Sequence, residues 1–180
     1  MYFRKMIGKK CYLSPIDLDD AEKYAEWLND LELTTNLAIH HSVINAETEK
    51  SLLEKISKEH NYAIIDIKTD KLIGTCGFVK IDHLNQTAEA GIFIGDKQFW
   101  GKGYGTESLQ LLLDYGFQVL NLHNVMIRVF SFNERAISSY KKIGFKTIGK
   151  RREALKRGDK TFDIVSMDIL YKEFYKIFKH

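Results

Sequence analysis

A short glycine-rich segment constrains this chain more than any other feature, because it joins an apolar run to a long helical pattern. The segment, Gly101-Lys102-Gly103-Tyr104-Gly105-Thr106, follows the run Ile92-Phe93-Ile94. Glycine lets a backbone approach a ligand closely, and the free N–H groups at a helix start attract phosphate. The residues alone therefore indicate either a phosphate-binding loop, to which Lys102 adds a positive charge, or a tight strand-to-helix turn.

The two best-known glycine loops do not fit this segment. A Walker loop requires Gly-Lys-Ser/Thr at a spacing that is absent here. A dinucleotide fingerprint requires a third glycine at a fixed offset after Gly101 and Gly103, and it follows a parallel strand. The runs before this segment are joined by short connections, which favour antiparallel hairpins.

The hydrophobic pattern predicts a single α/β domain over residues 1–180. Short apolar or alternating runs indicate strands, whereas a spacing of three and four residues indicates helices. The predicted order is βααβββαβαββ, with a mixed, mostly antiparallel sheet of about seven strands flanked by about four helices. Predicted strands cover residues 11–16, 62–67, 72–81, 88–94, 125–130, 146–150 and 161–170, and predicted helices include 21–28 and 134–143.

A second predicted helix follows a polar connection over residues 29–45. Asn45 is predicted to cap this helix, because its side-chain oxygen can accept from an amide of the first turn. Leu52, Leu53 and Ile56 are predicted to face the core.

A second informative segment runs from Asn133 to Phe145. Asn133 is predicted to begin a helix as its N-cap, and Gly144 is predicted to end it in a left-handed conformation. Ala136 and Tyr140 are four residues apart and share one helix face. A small residue beside a phenol leaves room for a ligand against the helix, although a core tyrosine at a close helix contact has the same pattern.

Together and in this order, the two segments resemble the GNAT superfamily of acetyl-CoA-dependent N-acetyltransferases over nearly the whole chain. The family's pyrophosphate loop, Gln/Arg-x-x-Gly-x-Gly/Ala, aligns on Trp100 to Gly105, with Trp100 in place of Gln or Arg. The later family segment, Asn-x-x-Ala-x-x-x-Tyr-x-x-x-Gly-Phe, matches Asn133 to Phe145. The run WGKGYGTE is similar to the loop of the branch that includes ribosomal-protein N-terminal and spermidine acetyltransferases.

The resemblance implies the GNAT fold, acetyl-CoA as co-substrate without a metal, and a role for each matching residue. Backbone groups near Ile92, Phe93 and Ile94 should contact the pantetheine arm, on a strand that splays from its neighbour. The loop residues Gly101, Lys102, Gly103, Tyr104, Gly105 and Thr106 should bind the pyrophosphate, with Asn133 and Ala136 lining the far end of the channel. Tyr140 matches the phenol that protonates the departing CoA sulfur.

Glu89 is the predicted general base. It precedes Trp100 by an offset that resembles the strand glutamate of histone-acetylating family members, and strand alternation places it on the face of Gly91 and Phe93. A solvated edge glutamate and an anchor for substrate charge are the alternatives.

The resemblance also implies that the polar connection over residues 29–45 borders the site of the amine acceptor. His40 and His41 are interpreted either as exposed loop residues or as substrate contacts. Asp30 and Glu32 are interpreted either as solvated surface acids or as a binding site for a cationic substrate. Trp27 is predicted to pack in the core.

Basic residues cluster around the last predicted hairpin, at Arg151, Arg152, Lys156, Arg157 and Lys160. They are read as a solvated hairpin, because no RNA-binding module accompanies them. We therefore expect no direct nucleic-acid binding.

The predicted function is transfer of acetyl from acetyl-CoA to a primary amine by direct attack in a ternary complex. The acceptor is a protein N-terminus or a small amine, and the absence of an obvious acidic cleft favours the ribosomal-protein branch. The alternatives are a spermidine or aminoglycoside-type acetyltransferase and a non-catalytic acyl-CoA-binding module. Family members are often dimers, so a homodimer is left open.

Composition bounds these expectations. The 27 Lys and Arg residues and 24 Asp and Glu residues give a net charge of +3, with 44% hydrophobic residues, which is ordinary globular composition. The two cysteines, Cys11 and Cys76, have no metal-ligand or disulfide-framework spacing. With no signal-like or membrane-spanning run, we expect a cytoplasmic protein without membrane contact.

The charge is unevenly distributed along the chain. Residues 1–100 carry 12 basic and 16 acidic residues, whereas residues 101–180 carry 15 and 8. An acidic half and a basic half indicate partners of opposite sign, as a cationic amine and a polyanionic cofactor would be.

Overall fold

The fold is described from a computed structural model, which covers residues 1–178. In that part of the chain there are eight strands and six α-helices. The strands are β1 (Met6–Ile7), β2 (Cys11–Pro15), β3 (Asn61–Asp66), β4 (Leu72–Asp82), β5 (Thr87–Ile94), β6 (Asn124–Phe130), β7 (Lys146–Arg157) and β8 (Lys160–Leu170). The helices are α1 (Ala21–Leu28), α2 (Leu31–Thr34), α3 (Ala46–Ile56), α4 (Tyr104–Gln118), α5 (Glu134–Ile143) and α6 (Tyr171–Ile177).

All eight strands belong to one mixed sheet, in the order β1-β2-β3-β4-β5-β6-β8-β7. The chain divides into two compact units, of which the first comprises residues 1–78 and 92–112 and the second comprises residues 79–91 and the chain from Leu113 onward. The strands β4 and β5 and the helix α4 each contribute to both units.

The first unit is built on antiparallel strands. β2 pairs with β1 and β3, and β3 pairs with β4 through a register shift between Ile64 and Ile65. Side chains of β2, β3, α1 and α3 form its buried core, which includes Tyr12, Tyr24, Trp27, Leu53, Ala63 and Ile65. This packing holds α1 and α3 through the apolar face of each helix.

The second unit contains the parallel pair of the sheet. β5 and β6 run parallel with a register from Thr87–Asn124 to Ala90–Ile127, and β6, β8 and β7 follow in antiparallel order. Its core is apolar and includes Phe117, Ile127, Ile143, Met167, Ile169 and Phe174, each at most 3% exposed.

The structure confirms the predicted fold class and most predicted elements. The helix predicted over residues 134–143 matches α5, and Asn45 caps α3 by accepting from the Thr48 N–H at 2.7 Å. The structure has one strand and two helices more than the predicted numbers of about seven and about four, namely β1, α2 and α6. β1 and α2 are too short to show a hydrophobic period.

Two local predictions were wrong. Leu52 was expected to face the core but is 45% exposed, because the inward face of α3 is occupied by Leu53, which is 1% exposed, and by Glu49, which is 3% exposed. The strand predicted over residues 146–150 extends to Arg157, since its pairing with β8 continues past a bulge between Arg151 and Leu155.

Gly74 allows β4 to approach the end of β5 closely. A Cβ atom on Gly74 would lie 2.2 Å from the Phe93 carbonyl oxygen and 2.9 Å from Ile94 Cα. Next to it, the Ile73 carbonyl accepts from the N–H groups of Gly95 and Asp96 at 2.9 and 3.2 Å. The end of β5 is therefore held by backbone contacts that leave no space for a side chain.

We predict that Gly74→Ala lowers the free energy of unfolding by about 1–3 kcal/mol, because the methyl group meets backbone atoms that cannot rotate away. Gly149→Ala is the matched control, since a Cβ on this exposed strand glycine meets no heavy atom within 4 Å. Urea unfolding of both variants measures the difference. Equal stability of the two variants would contradict the close approach.

Candidate active site

The glycine-rich segment forms the turn that leads into α4. Gly101 and Gly103 have φ angles of 72° and 87°, in the left-handed region that favours glycine. Residue Tyr104 then begins α4, a helix of 15 residues. Left-handed glycines allow the sharp turn by which the chain enters the helix, and such residues before a helix N-terminus are typical of loops that bind anions.

This loop meets the end of β5 within the first unit. The Trp100 indole Nε1–H donates to the Ile94 carbonyl oxygen at 2.8 Å. A Cβ on Gly105 would lie 3.7 Å from Ile94 Cγ1 and 3.8 Å from Ile92 Cδ1, so the first turn of α4 packs against the same strand. The structure therefore brings together the predicted residues of β5 and the predicted loop.

Phe93 points to the α1 side of this strand. Its ring makes an edge-to-face contact with Trp27, with ring centroids 6.0 Å apart. Trp27 is 5% exposed, which confirms its prediction as a core residue. A Cβ on Gly95 would lie 2.1 Å from the Trp27 ring, so this ring covers the backbone where β5 ends.

Tyr104 is anchored by a hydrogen bond to a carboxylate. Its hydroxyl donates to Asp66 Oδ1 at 2.7 Å, and burial together with this bond raises its pKa to about 12. Its ring also contacts Phe99 edge to face, with centroids 4.9 Å apart. Tyr104 thereby fixes the start of α4, while Lys102 is exposed and Thr106 is half-buried.

Helix α5 in the second unit is capped at both ends, as the sequence predicted. The Asn133 side-chain oxygen accepts from the Ala136 N–H at 3.1 Å. Gly144 has a φ of 109°, and its N–H donates to the carbonyls of Tyr140 and Lys141 at 3.2 and 3.0 Å. These caps fix the first and last turns of the helix that carries Ala136 and Tyr140.

Tyr140 is 9% exposed and lies in the last turns of α5. Its ring centroid is 5.9 Å from that of Phe145, and burial raises its pKa to about 12. The phenol is therefore protonated at neutral pH.

Glu89 lies on β5 in the second unit and is ion-paired. Its Oε1 atom accepts from Arg128 Nε of β6 at 2.6 Å, with the Glu89 side chain 18% exposed and that of Arg128 52% exposed. The pair occupies one carboxylate oxygen.

Acidic residues of the connection after α1 are also paired. Lys97 Nζ lies 2.7 Å from Asp30 Oδ2 and 2.5 Å from Glu32 Oε2. The hydrogen bond with Asp30, followed by that with Glu32, raises the pKa of Lys97, and the same contact lowers the pKa of Asp30. His40 in this connection is half-buried, with Nδ1 3.2 Å from the Thr34 hydroxyl, whereas His41 is exposed.

Three charged partners in these contacts could not be identified from sequence. Lys97 and Arg128 are distant in the chain from the acids they bind, and neither belongs to a motif. Lys10 donates through Nζ to the Lys102 carbonyl at 2.5 Å, across more than ninety residues of sequence. Only covariation between positions would have indicated such pairs before the fold was known.

The cysteines are in the interior of the first unit. Cys76 is 2% exposed, and burial raises its pKa well above the ordinary value. Cys11 is fully buried, burial raises its pKa to about 11, and its Sγ lies 3.3 Å from the Ser108 hydroxyl. High thiol pKa values and burial are typical of structural rather than nucleophilic cysteines.

None of the helices within residues 1–178 has the length and apolar character that crossing a bilayer requires. Within the same residues, His, Cys, Asp and Glu side chains do not gather in groups of three or more that could hold a metal ion.

Comparisons with known proteins agree with the geometry. The family model described as acetyltransferase (GNAT) domain matches residues 10–146. An uncharacterized N-acetyltransferase, p20, from Bacillus licheniformis is 32% identical over 167 residues, which cover 90% of this chain and 93% of the relative.

Two solved structures share the fold at lower identity. Spermidine N-acetyltransferase from Vibrio cholerae, in complex with CoA and spermine, superposes with a TM-score of 0.82 at 22% identity, covering 93% of this chain and 99% of the other. RimL, a ribosomal L7/L12 alpha-N-protein acetyltransferase in complex with coenzyme A, gives 0.79 at 15% identity, covering 91% and 96%.

The chain therefore belongs to the GNAT acetyltransferase family. The predicted class, an acyltransferase that uses acetyl-CoA, is confirmed at this level. Both kinds of enzyme in the predicted branch are among the proteins that share its fold.

Proposed function

We propose that this protein transfers the acetyl group of acetyl-CoA to a primary amine by direct attack in a ternary complex, with a protein N-terminus as the favoured acceptor. The observation that carries the proposal is the buried, fully protonated Tyr140 on a helix capped at both ends. A binding module needs no proton donor, whereas thioester aminolysis does.

The proton balance of the reaction explains this need. An α-ammonium has a pKa of about 8, an alkyl ammonium about 10 and a thiol about 8.5, so either amine must lose a proton before or as it attacks, and the departing thiolate accepts one. The amine nitrogen forms a bond to the thioester carbonyl carbon, and the carbon–sulfur bond breaks. We assign the proton that neutralises the CoA sulfur to the Tyr140 hydroxyl.

We assign binding of the donor to the loop and the end of β5. The N–H groups around Gly101 to Gly103 suit a pyrophosphate, and Lys102 adds a positive charge. β5 continues to Ile94, beyond the register that pairs it with β6 up to Ala90, so backbone groups of this stretch are proposed to bind the pantetheine arm. An N–H group there would polarise the acetyl carbonyl. Asn133 and Ala136 are proposed to line the far end of the channel.

Glu89 remains the proposed base. Its carboxylate is mostly buried, and its unpaired oxygen can take the amine proton directly or through a water molecule. Arg128 would hold the carboxylate in one orientation, as an orienting partner does in other proton-transfer sites.

The acceptor is proposed from the charges near α2. A polyamine carries several ammonium groups and requires carboxylates to bind them, but Asp30 and Glu32 share the ammonium of Lys97. A protein N-terminus has a single α-amine and places a smaller demand on these acids. A polyamine acceptor is the second candidate, because the Vibrio cholerae spermidine acetyltransferase shares the fold.

We also propose a single acetyltransferase domain, a cytoplasmic location and a homodimer as an assembly to be tested. The two cysteines are unpaired and buried, as is usual in a reducing compartment.

The acceptor prediction is tested by a mass-shift screen with acetyl-CoA. We expect one added acetyl group on peptides with a free α-amine and none on the same peptides with a blocked N-terminus. Spermidine and an aminoglycoside complete the panel. Acetylation of spermidine or of the aminoglycoside alone would overturn the protein N-terminus, and no acetylation at all would favour a binding module.

Tyr140→Phe is predicted to lower kcat by about 10²-fold or more, since the loss of a general acid costs 10²–10⁴-fold. Affinity for acetyl-CoA, measured by calorimetry, should not change, because the ring is retained. Tyr171→Phe, a change at an exposed phenol of α6, is the matched control. An unaltered kcat in Tyr140→Phe would remove Tyr140 as the acid.

Glu89→Gln is predicted to abolish the acidic limb of the kcat profile, because activity falls as a base becomes protonated toward low pH. Arg128→Met is the matched control, since it removes the same ion pair but retains the carboxylate. This control should keep an acidic limb. A limb that persists in Glu89→Gln would show that another group is the base.

A further inference from the structure

Lys10, which precedes β2, reaches the glycine-rich loop from a distant part of the sequence. Its Nζ donates to the Lys102 carbonyl at 2.5 Å, and a Cβ on Gly103 would lie 3.1 Å from the same Nζ. The ammonium also lies 6.0 Å from the centroid of the Tyr104 ring. Lys10 thus contacts the short stretch of backbone between the two left-handed glycines.

Because the peptide bond is planar, the contact of Lys10 with the Lys102 carbonyl also orients the Gly103 N–H group. The Lys102 carbonyl and the Gly103 N–H belong to one peptide group, which is trans like the other peptide bonds within residues 1–178. In a trans peptide the C=O and N–H bonds point in opposite directions. An ammonium that holds the Lys102 carbonyl therefore directs the Gly103 N–H away from Lys10, where an anion can accept it.

The same contact strengthens the donor. A hydrogen bond from a charged group is stronger than a neutral one, and hydrogen bonds on the two ends of a peptide group polarise each other. The Gly103 N–H is consequently a better donor to an anion while Lys10 is in place. The positive charge of Lys10 adds to those of Lys102 and the start of α4.

A separate set of contacts holds Lys10 in position. Its own N–H donates to Glu107 Oε1 at 2.7 Å, with the Cys11 N–H at 3.4 Å from the same oxygen. Its carbonyl accepts from the Ile67 N–H at 2.9 Å. Glu107 lies in the first turn of α4, so its carboxylate ties the backbone of Lys10 to the helix that follows the loop.

We propose that Lys10 is a positioning residue for the donor's pyrophosphate, acting through the Lys102–Gly103 peptide group. This inference rests on the proposed role of the loop and adds a residue that lies outside its motif. The part of the ligand that this peptide group would bind is the diphosphate of acetyl-CoA. The effect of Lys10 on affinity should therefore be seen only with ligands that carry the diphosphate.

The test compares binding of acetyl-CoA with that of S-acetyl-pantetheine, which lacks the diphosphate, by calorimetry. Lys10→Met is expected to weaken acetyl-CoA binding by about tenfold, the effect of losing a charge-assisted hydrogen bond, and to leave S-acetyl-pantetheine binding unchanged. Lys10→Arg, which keeps a charged donor, should restore most of the affinity. Lys9→Met is the matched control, because Lys9 is the exposed neighbouring lysine.

The other outcomes would contradict either the role of Lys10 or the proposed function. Unchanged acetyl-CoA binding in Lys10→Met, an equal loss for both compounds, or an Arg variant as weak as the Met variant would refute the role of Lys10. A wild-type protein that binds neither compound would instead refute the proposed function, independently of the variants.

Discussion

The hydrogen bond from the Trp100 indole to the Ile94 carbonyl is the contact on which the arrangement of the candidate donor site depends. It joins the last residue of β5 to the residue that precedes Gly101, and so fixes the position of the glycine-rich loop against the end of β5 within the first unit. The backbone bonds to Ile73 and the close approach of Gly74 hold the same strand end from its other side. Family loops have Gln or Arg at this position, and here an indole N–H makes the connection.

The acidic residues that the sequence analysis identified as candidates are ion-paired in the structure. Asp30 and Glu32 looked like a hold for a cationic substrate, but both bind Lys97. Glu89 was predicted as the general base, a solvated edge glutamate or an anchor for substrate charge, and Arg128 binds one of its oxygens. These pairs occupy the Lys97 ammonium with two carboxylates and hold one oxygen of Glu89 against Arg128.

Local features of the sequence predicted most of the fold. Asn45, Asn133 and Gly144 act as helix caps because a cap requires only the residues within one turn of it. The inward position of Leu52 was predicted wrongly, since the face that α3 turns to the core is set by what packs against it. β1 and α2 were missed because two and four residues carry no detectable period.

The sequence by itself determined the fold class, the family and the motif residues of the candidate site, because each depends on residues close together in the chain. Only the tertiary structure decided which distant groups meet these residues. Lys10 at the Lys102 carbonyl, Arg128 at Glu89, Lys97 at Asp30 and Asp66 at Tyr104 join segments that are 38 to 92 positions apart. Such pairs depend on how strands and helices align in space, and a linear motif does not specify that alignment.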